Sequence, residues 1–159
     1  MPVFDVDSSA FLKRYRNEPG TTVVNQLFDW KTATDDLVTS QLIFVEVEAA
    51  LARAVKAGLL SVRAQGAILR AFANDLQNAV VLPISPSLLS ESGGVAHQYA
   101  LRALDALHFA TLLRVTQASA NVVLVASDLE LLAAGNAAGL TVLNPATPGA
   151  QEQLRKLRP

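Results

Sequence analysis

The sequence predicts an α/β domain, a parallel sheet flanked by helices, and three observations carry that prediction. Short β-branched runs alternate with helix-periodic stretches along the chain, the pattern of strand–helix–strand crossovers. One run, Val122-Val123-Leu124-Val125, is wholly apolar, as a strand covered on both faces must be. The chain has 159 residues, 51% hydrophobic and 17% charged, with no repeat or composition break, so one domain with a substantial core is expected.

The elements follow in order. Residues 3–7 read as a short strand, and the next helix has Ser8 or Ser9 as its capping residue. That helix ends before Pro19-Gly20, where Thr21 or Thr22 opens another. Residues 36–40 form a second strand. A helix over 43–57 closes at Gly58, and another spans about 61–75. Residues 80–83 are a third strand, followed by helices over about 86–100 and 102–116. The apolar run at 121–126 is the fourth strand, a helix over 128–138 stops at Gly139, and 140–143 is the last strand before Asn144-Pro145. The domain is expected over 1–145, with 146–159 a short, polar, peripheral C-terminal tail.

Composition excludes several classes. With no cysteine there are no disulfides, thiolate nucleophiles or cysteine-ligated zinc. A formal net charge of −1 gives no global field toward nucleic acid or membrane, so any nucleic-acid binding would have to rely on a local patch, a bound cation or a basic partner. The opening Met1-Pro2-Val3-Phe4-Asp5 lacks a signal-peptide pattern. No run approaches the roughly 18 apolar residues a membrane helix needs, since residues 101–115 include Arg102, Asp105, His108 and Arg114. A soluble, cytoplasmic protein is expected.

The chemistry lies in carboxylates. Binding sites in open parallel sheets lie beyond the carboxyl ends of the strands. Asp7 closes the first strand and Asp128 follows the fourth. Each also stands at a helix start, and capping alone would explain either. Asp105 has Leu101, Phe109 and Leu112 at helical spacing, and Glu46 has Leu42, Ile43, Ala49 and Ala50. Both acids therefore fall on apolar helix faces, where an unpaired charge costs several kcal/mol. An ion pair with Arg53 or Arg102 would explain them structurally. Glu48 points away and reads as exposed. The four acids can instead converge on a hard cation, magnesium or manganese, because oxygen ligands suit those ions and only His97 and His108 are present for zinc. His108 reads as packed or hydrogen-bonded within the helix pair, and His97 as a surface residue.

The same residues carry a resemblance. Asp7-Ser8-Ser9-Ala10 with Lys13 six positions on, the Glu46 helix through Ala50-Leu51-Ala52-Arg53, residues 101–110 around Leu104-Asp105-Ala106-Leu107-His108, and Val125-Ala126-Ser127-Asp128 through Asn144-Pro145 resemble the PIN-domain family, particularly VapC-type toxin ribonucleases. The resemblance runs from about residue 3 to 145 in family order. It implies an acidic quartet of Asp7, Glu46, Asp105 and Asp128 holding Mg²⁺ or Mn²⁺, with Ser9 supporting the first acid. Ala126 stands where that family often has threonine, with Ser127 beside it, and Glu130 is that motif's further acid. The resemblance implies an endoribonuclease using metal-activated water, the toxin of a type II toxin–antitoxin pair, with a cognate antitoxin and a homodimer. Lys13, Arg53 and Arg102, nearest the motifs, are candidate RNA contacts; Arg14 and Arg16 read as solvated or helix-pairing charges.

Two other readings compete. A non-catalytic PIN-like module would bind RNA or protein without cleavage. A haloacid-dehalogenase-type phosphatase would use Asp5-Val6-Asp7, with Asp5 as nucleophile and Asp7 as general acid/base, and Ser127 as its second motif. That reading leaves Glu46 and Asp105 unexplained.

Overall fold

The computed structural model describes residues 2–29 and 36–158. Five strands, β1 (Val3–Val6), β2 (Asp36–Ser40), β3 (Val80–Leu82), β4 (Val122–Val125) and β5 (Thr141–Leu143), form one parallel sheet in the order β3-β2-β1-β4-β5. The helices are α1 (Ser8–Phe11), running into a 3-10 turn (Leu12–Tyr15), α2 (Thr21–Asp29), α3 (Ile43–Lys56), α4 (Val62–Leu76), α5 (Pro86–Tyr99), α6 (Ala103–Ala118), α7 (Leu129–Ala137) and α8 (Ala150–Leu157). The chain winds outward from β1 through β2 to β3, then returns to the other side of β1 for β4 and β5. The winding therefore reverses between β1 and β4, and the crevice at their carboxyl ends is the expected binding place.

Side-chain alternation along β1 divides the core into two layers. Phe4 and Val6 face one way, packing with Phe11, Val47, Leu51 and Leu154. Val3 lies on the opposite face with Phe109, Leu112 and Leu131. The β4 run is buried at every position, as its composition requires. No helix among the described residues is long and apolar enough to cross a membrane.

Two expectations are corrected. The segment expected to be a peripheral polar tail forms α8, whose Ala150 and Leu154 join the core, while Arg158 donates to the carbonyls of Gln26 and Leu27. Ala150, Leu154 and Leu157 fall at i, i+4 and i+7, so an otherwise polar helix has one apolar stripe to bury. The first helix is capped by Asp7, the role that its place at a helix start also allowed, rather than by Ser8 or Ser9.

Ala100 ends α5 in the left-handed conformation, at φ 54° and ψ 38°, and this lets the chain turn sharply into α6. A β-carbon is strained there, whereas glycine is not. Ala100→Gly should therefore raise stability by up to about 1 kcal/mol, read as a higher urea midpoint with unchanged slope. A lower midpoint would show that unfolded-chain entropy outweighs the relief.

Candidate active site

β1 and β4 deliver Asp7 and Asp128 to the crevice, and both acids are helix N-caps. Asp7 Oδ2 accepts from the Ser9 amide at 2.9 Å, and Asp128 Oδ1 accepts from the Leu131 amide at 2.9 Å. Capping uses one oxygen of each carboxylate, so it does not compete with a second role at the other oxygen. Ser9 is the strut between the two strands. Its hydroxyl donates to Asp7 Oδ2 and accepts from the amides of Ser127, at 2.9 Å, and Asp128, at 3.3 Å. Ser127 in turn donates to Asn144 Oδ1 at 3.1 Å, which ties the end of β5 into the same network. Sequence reasoning missed Asn144 as a site residue, because an Asn-Pro pair reads as a turn.

Glu46, near the start of α3, and Asp105, in the first turn of α6, complete the group. Burial pushes the Glu46 carboxyl up to about 7, and the Asp7 charge pushes the same way. His108 and the Ser8 hydroxyl oppose this, and Asp105 adds to it. Burial likewise raises Asp105, followed by the charges of Asp128, Asp7 and Glu130, while Arg102 lowers it. All four expected acids are thus electrostatic neighbours, with Glu130 at their edge. Asp105 is half-exposed rather than buried, because α6 begins at Ala103 and Leu101 lies outside the helix. Glu48 is exposed, as its helical position predicts.

The candidate basic residues divide. Arg53 is exposed and lines a cavity with Ser8, Ser9 and Glu46. Arg102, the residue preceding α6, sits 3.9 Å from Glu130 with its side chain 83% exposed. Lys13 is buried, its ammonium 3.6 Å from Glu18, and it packs beneath Gly20. That burial leaves Lys13 less available to a phosphate backbone than Arg53 and Arg102. Arg14 is held by Asp75 at 2.7 Å and Asp29 at 3.3 Å, a structural role.

Behind the acids lies a pair that sequence reasoning did not assemble. His108 Nε2 donates to Asp5 Oδ2 at 2.8 Å, and both side chains are buried. His108 thus bonds to the central strand, not within its helix pair. Burial disfavours the imidazolium, but Asp5's charge and hydrogen bond, with Asp7 and Glu46 beyond, push His108 up to about 9. Asp5 is wholly enclosed, which leaves no access for a substrate and removes the phosphatase's nucleophile. An acid in the middle of an otherwise apolar strand is the signal that could have prompted a search for a buried cation.

The acids suit a divalent cation by charge and donor type, since an ion would relieve the repulsion that raises Glu46 and Asp105. As they stand, no three His, Asp or Glu side chains among the described residues are arranged to hold an ion directly. The apo repulsion has a measurable consequence. Glu46 titrates higher in the folded than in the unfolded chain, so its ionisation costs stability as pH rises from about 4.5 through about 7. Glu46→Gln should stabilise the metal-free protein by about 1–2 kcal/mol at pH 8, allowing for screening of a half-exposed group, with no gain at pH 4. An equal gain at both pH values would refute a titrating Glu46.

The fold and site together define a class: doubly wound α/β domains with an acidic crevice where the winding reverses. A family model of the PIN domain matches residues 6–135, and this chain belongs to the PIN domain family. The chain is 29% identical over 142 residues to Ribonuclease VapC45 and to Ribonuclease VapC49, both from Mycobacterium tuberculosis; each match covers 89% of this chain and 95% of the relative. Among solved structures, PAE2754 from Pyrobaculum aerophilum matches with a TM-score of 0.65 at 23% identity, covering 99% of this chain and 98% of the other. VapBC2 from Rickettsia felis, bound to a DNA fragment from their promoter, matches with a TM-score of 0.62 at 12% identity, covering 89% and 98%. At such identities these structures show the shared fold.

Proposed function

We propose that this protein is a metal-dependent endoribonuclease, the toxin of a type II toxin–antitoxin pair acting in the cytoplasm. The observation that carries the reading is the coupling of Asp7, Glu46, Asp105 and Asp128 at the β1/β4 crevice in a PIN-family chain. The ribonuclease names of the Mycobacterium tuberculosis relatives support it. So does the presence among the structural neighbours of VapBC2 and of a chain described as a toxin–antitoxin complex from Klebsiella pneumoniae.

In this reading the four acids hold Mg²⁺ or Mn²⁺, directly or through water, with Ser127 and Glu130 supporting the β4 corner. A divalent ion supplies Lewis acidity toward phosphoryl oxygens and lowers the pKa of water. Ser9 keeps Asp7 and the β4 exit at a fixed separation, which pre-organises the acids before substrate arrives. Arg53 and Arg102, at the edges, meet the phosphate backbone of RNA. A cognate antitoxin covers the site, and the toxin is a homodimer.

A non-catalytic PIN module is the second reading, favoured by the lack of a ready-made ion-holding group among the described acids. Incubation with defined RNAs separates the two. Cleavage is expected with Mg²⁺ or Mn²⁺ and none with chelator. Intact RNA under both conditions would leave the binding module standing.

A further inference from the structure

Beside the acids lies a cavity of about 210 Å³ between α1 and α3, closed at one side by the start of α6. Its walls are Leu12, Val45, Ala49, Ala50 and Leu104, with Ser8 and Glu46 toward the acids and Arg53 also lining it. Val45 and Leu104 are 65% and 50% exposed, although a folding chain gains by burying such side chains. Drug-sized ligands occupy pockets of roughly 300–1,000 Å³, so this cavity has room for one planar ring system rather than a whole nucleotide.

We propose that this cavity is a base-binding subsite for the nucleotide next to the scissile phosphate, and the inference rests on the nuclease reading above. Glu46 belongs both to the cavity and to the acidic group. A phosphate engaged at the acids through a cation therefore brings the neighbouring part of its own strand against the cavity mouth. The part that hangs from the strand one sugar away is a base, whose faces are apolar. The lining combines one carboxylate of the acidic group, Glu46, with apolar walls and a guanidinium, Arg53, suited to a further phosphate. These are the chemistries a nucleic-acid strand presents in succession: phosphate, base, phosphate. Ser8 supplies a hydroxyl that can donate to or accept from a base edge.

Entry requires an unpaired, unstacked base, so the subsite selects RNA that is single-stranded at the cut. It also biases which base stands there, because the walls desolvate one ring while the polar groups meet its edge.

The experiment uses a short RNA with one mapped cut, the whole protein and Mn²⁺. Each nucleotide around the cut is replaced in turn by an abasic residue. One flanking position should lose roughly tenfold in kcat/KM, the scale of removing one base contact, with smaller effects elsewhere. Ala49→Leu, which fills the cavity on a helix that accepts leucine, should lose about the same on intact RNA and nothing further on the sensitive abasic substrate. Circular dichroism confirms that this variant is folded. Cleavage with a flat abasic scan, or Ala49→Leu with unchanged rate and cut-site choice, overturns the subsite and leaves the nuclease reading intact. Cleavage of no RNA by the wild type overturns both. If Ala49→Leu loses binding to its antitoxin while RNA cleavage is unchanged, the cavity belongs to a protein side chain and the proposal fails.

Discussion

Asp5→Ala is expected to destabilise the protein by about 3–5 kcal/mol at pH 6, a large fraction of the stability of an ordinary domain. The expectation follows from burial. His108 and Asp5 are both enclosed, and their hydrogen bond of 2.8 Å joins α6 to the central strand. Removing the carboxylate leaves either an imidazolium with no counter-charge or a neutral ring with an unmet donor. Asp5→Asn keeps the shape and a hydrogen-bonding oxygen, so it should cost less, about 1–3 kcal/mol. The pH dependence tests whether the pair is ionic. His108 titrates at about 9 in the folded chain, above its ordinary value near 6.5. A raised histidine stabilises fully below the unfolded value, and that contribution fades as pH rises through about 9. The gap between wild type and Asp5→Asn should therefore be widest near pH 6 and narrow between pH 6.5 and 10 in urea titrations. A gap that stays constant over that range would mean a neutral hydrogen bond. Asp5 thus matters for folding, and any loss of activity in these variants should track the fraction unfolded.

What the sequence displays and what it hides can be traced to the range of each interaction. The β4 run announces a strand because every position is apolar and β-branched or leucine, and burial on both faces follows. Asp7 and Asp128 are legible because a strand end and a helix start coincide at each, a local pattern. Asp105 is placed on the correct helix, but its burial is misjudged: its apparent neighbour Leu101 precedes α6, and boundaries turn on a residue or two. The His108–Asp5 pair spans 103 positions, and no local pattern connects them. Helix α8 hides for another reason. Its composition is polar, and only the stripe through Leu154 shows that it must dock. Lys13 looks available for RNA because lysine is usually exposed. Its actual surroundings, Glu18 and the Gly20 turn, depend on how the chain folds back after the 3-10 turn.

The second large effect is expected at Asp7 and Asp128, where two roles coincide and can be separated. Each caps a helix through one oxygen, and each stands at the acidic crevice. Asparagine is as good an N-cap as aspartate, so Asp7→Asn and Asp128→Asn keep the cap while removing the charge. Alanine removes both. The Asn variants should therefore unfold within about 1 kcal/mol of wild type, whereas the Ala variants lose about 1 kcal/mol more. For Asp7→Asn, relief of repulsion on Glu46 and Asp105 acts in the stabilising direction when metal is absent. RNA cleavage should behave differently, falling by at least about 10²-fold in both Asn variants, the scale of losing one pre-organised charge in a reacting site. The thermal shift that millimolar Mn²⁺ gives wild type should shrink in parallel, a readout independent of turnover. The opposite pattern would be decisive. If the Asn variants cleave RNA normally and the Ala variants fail only as far as they unfold, these aspartates are helix caps and the acidic site lies elsewhere.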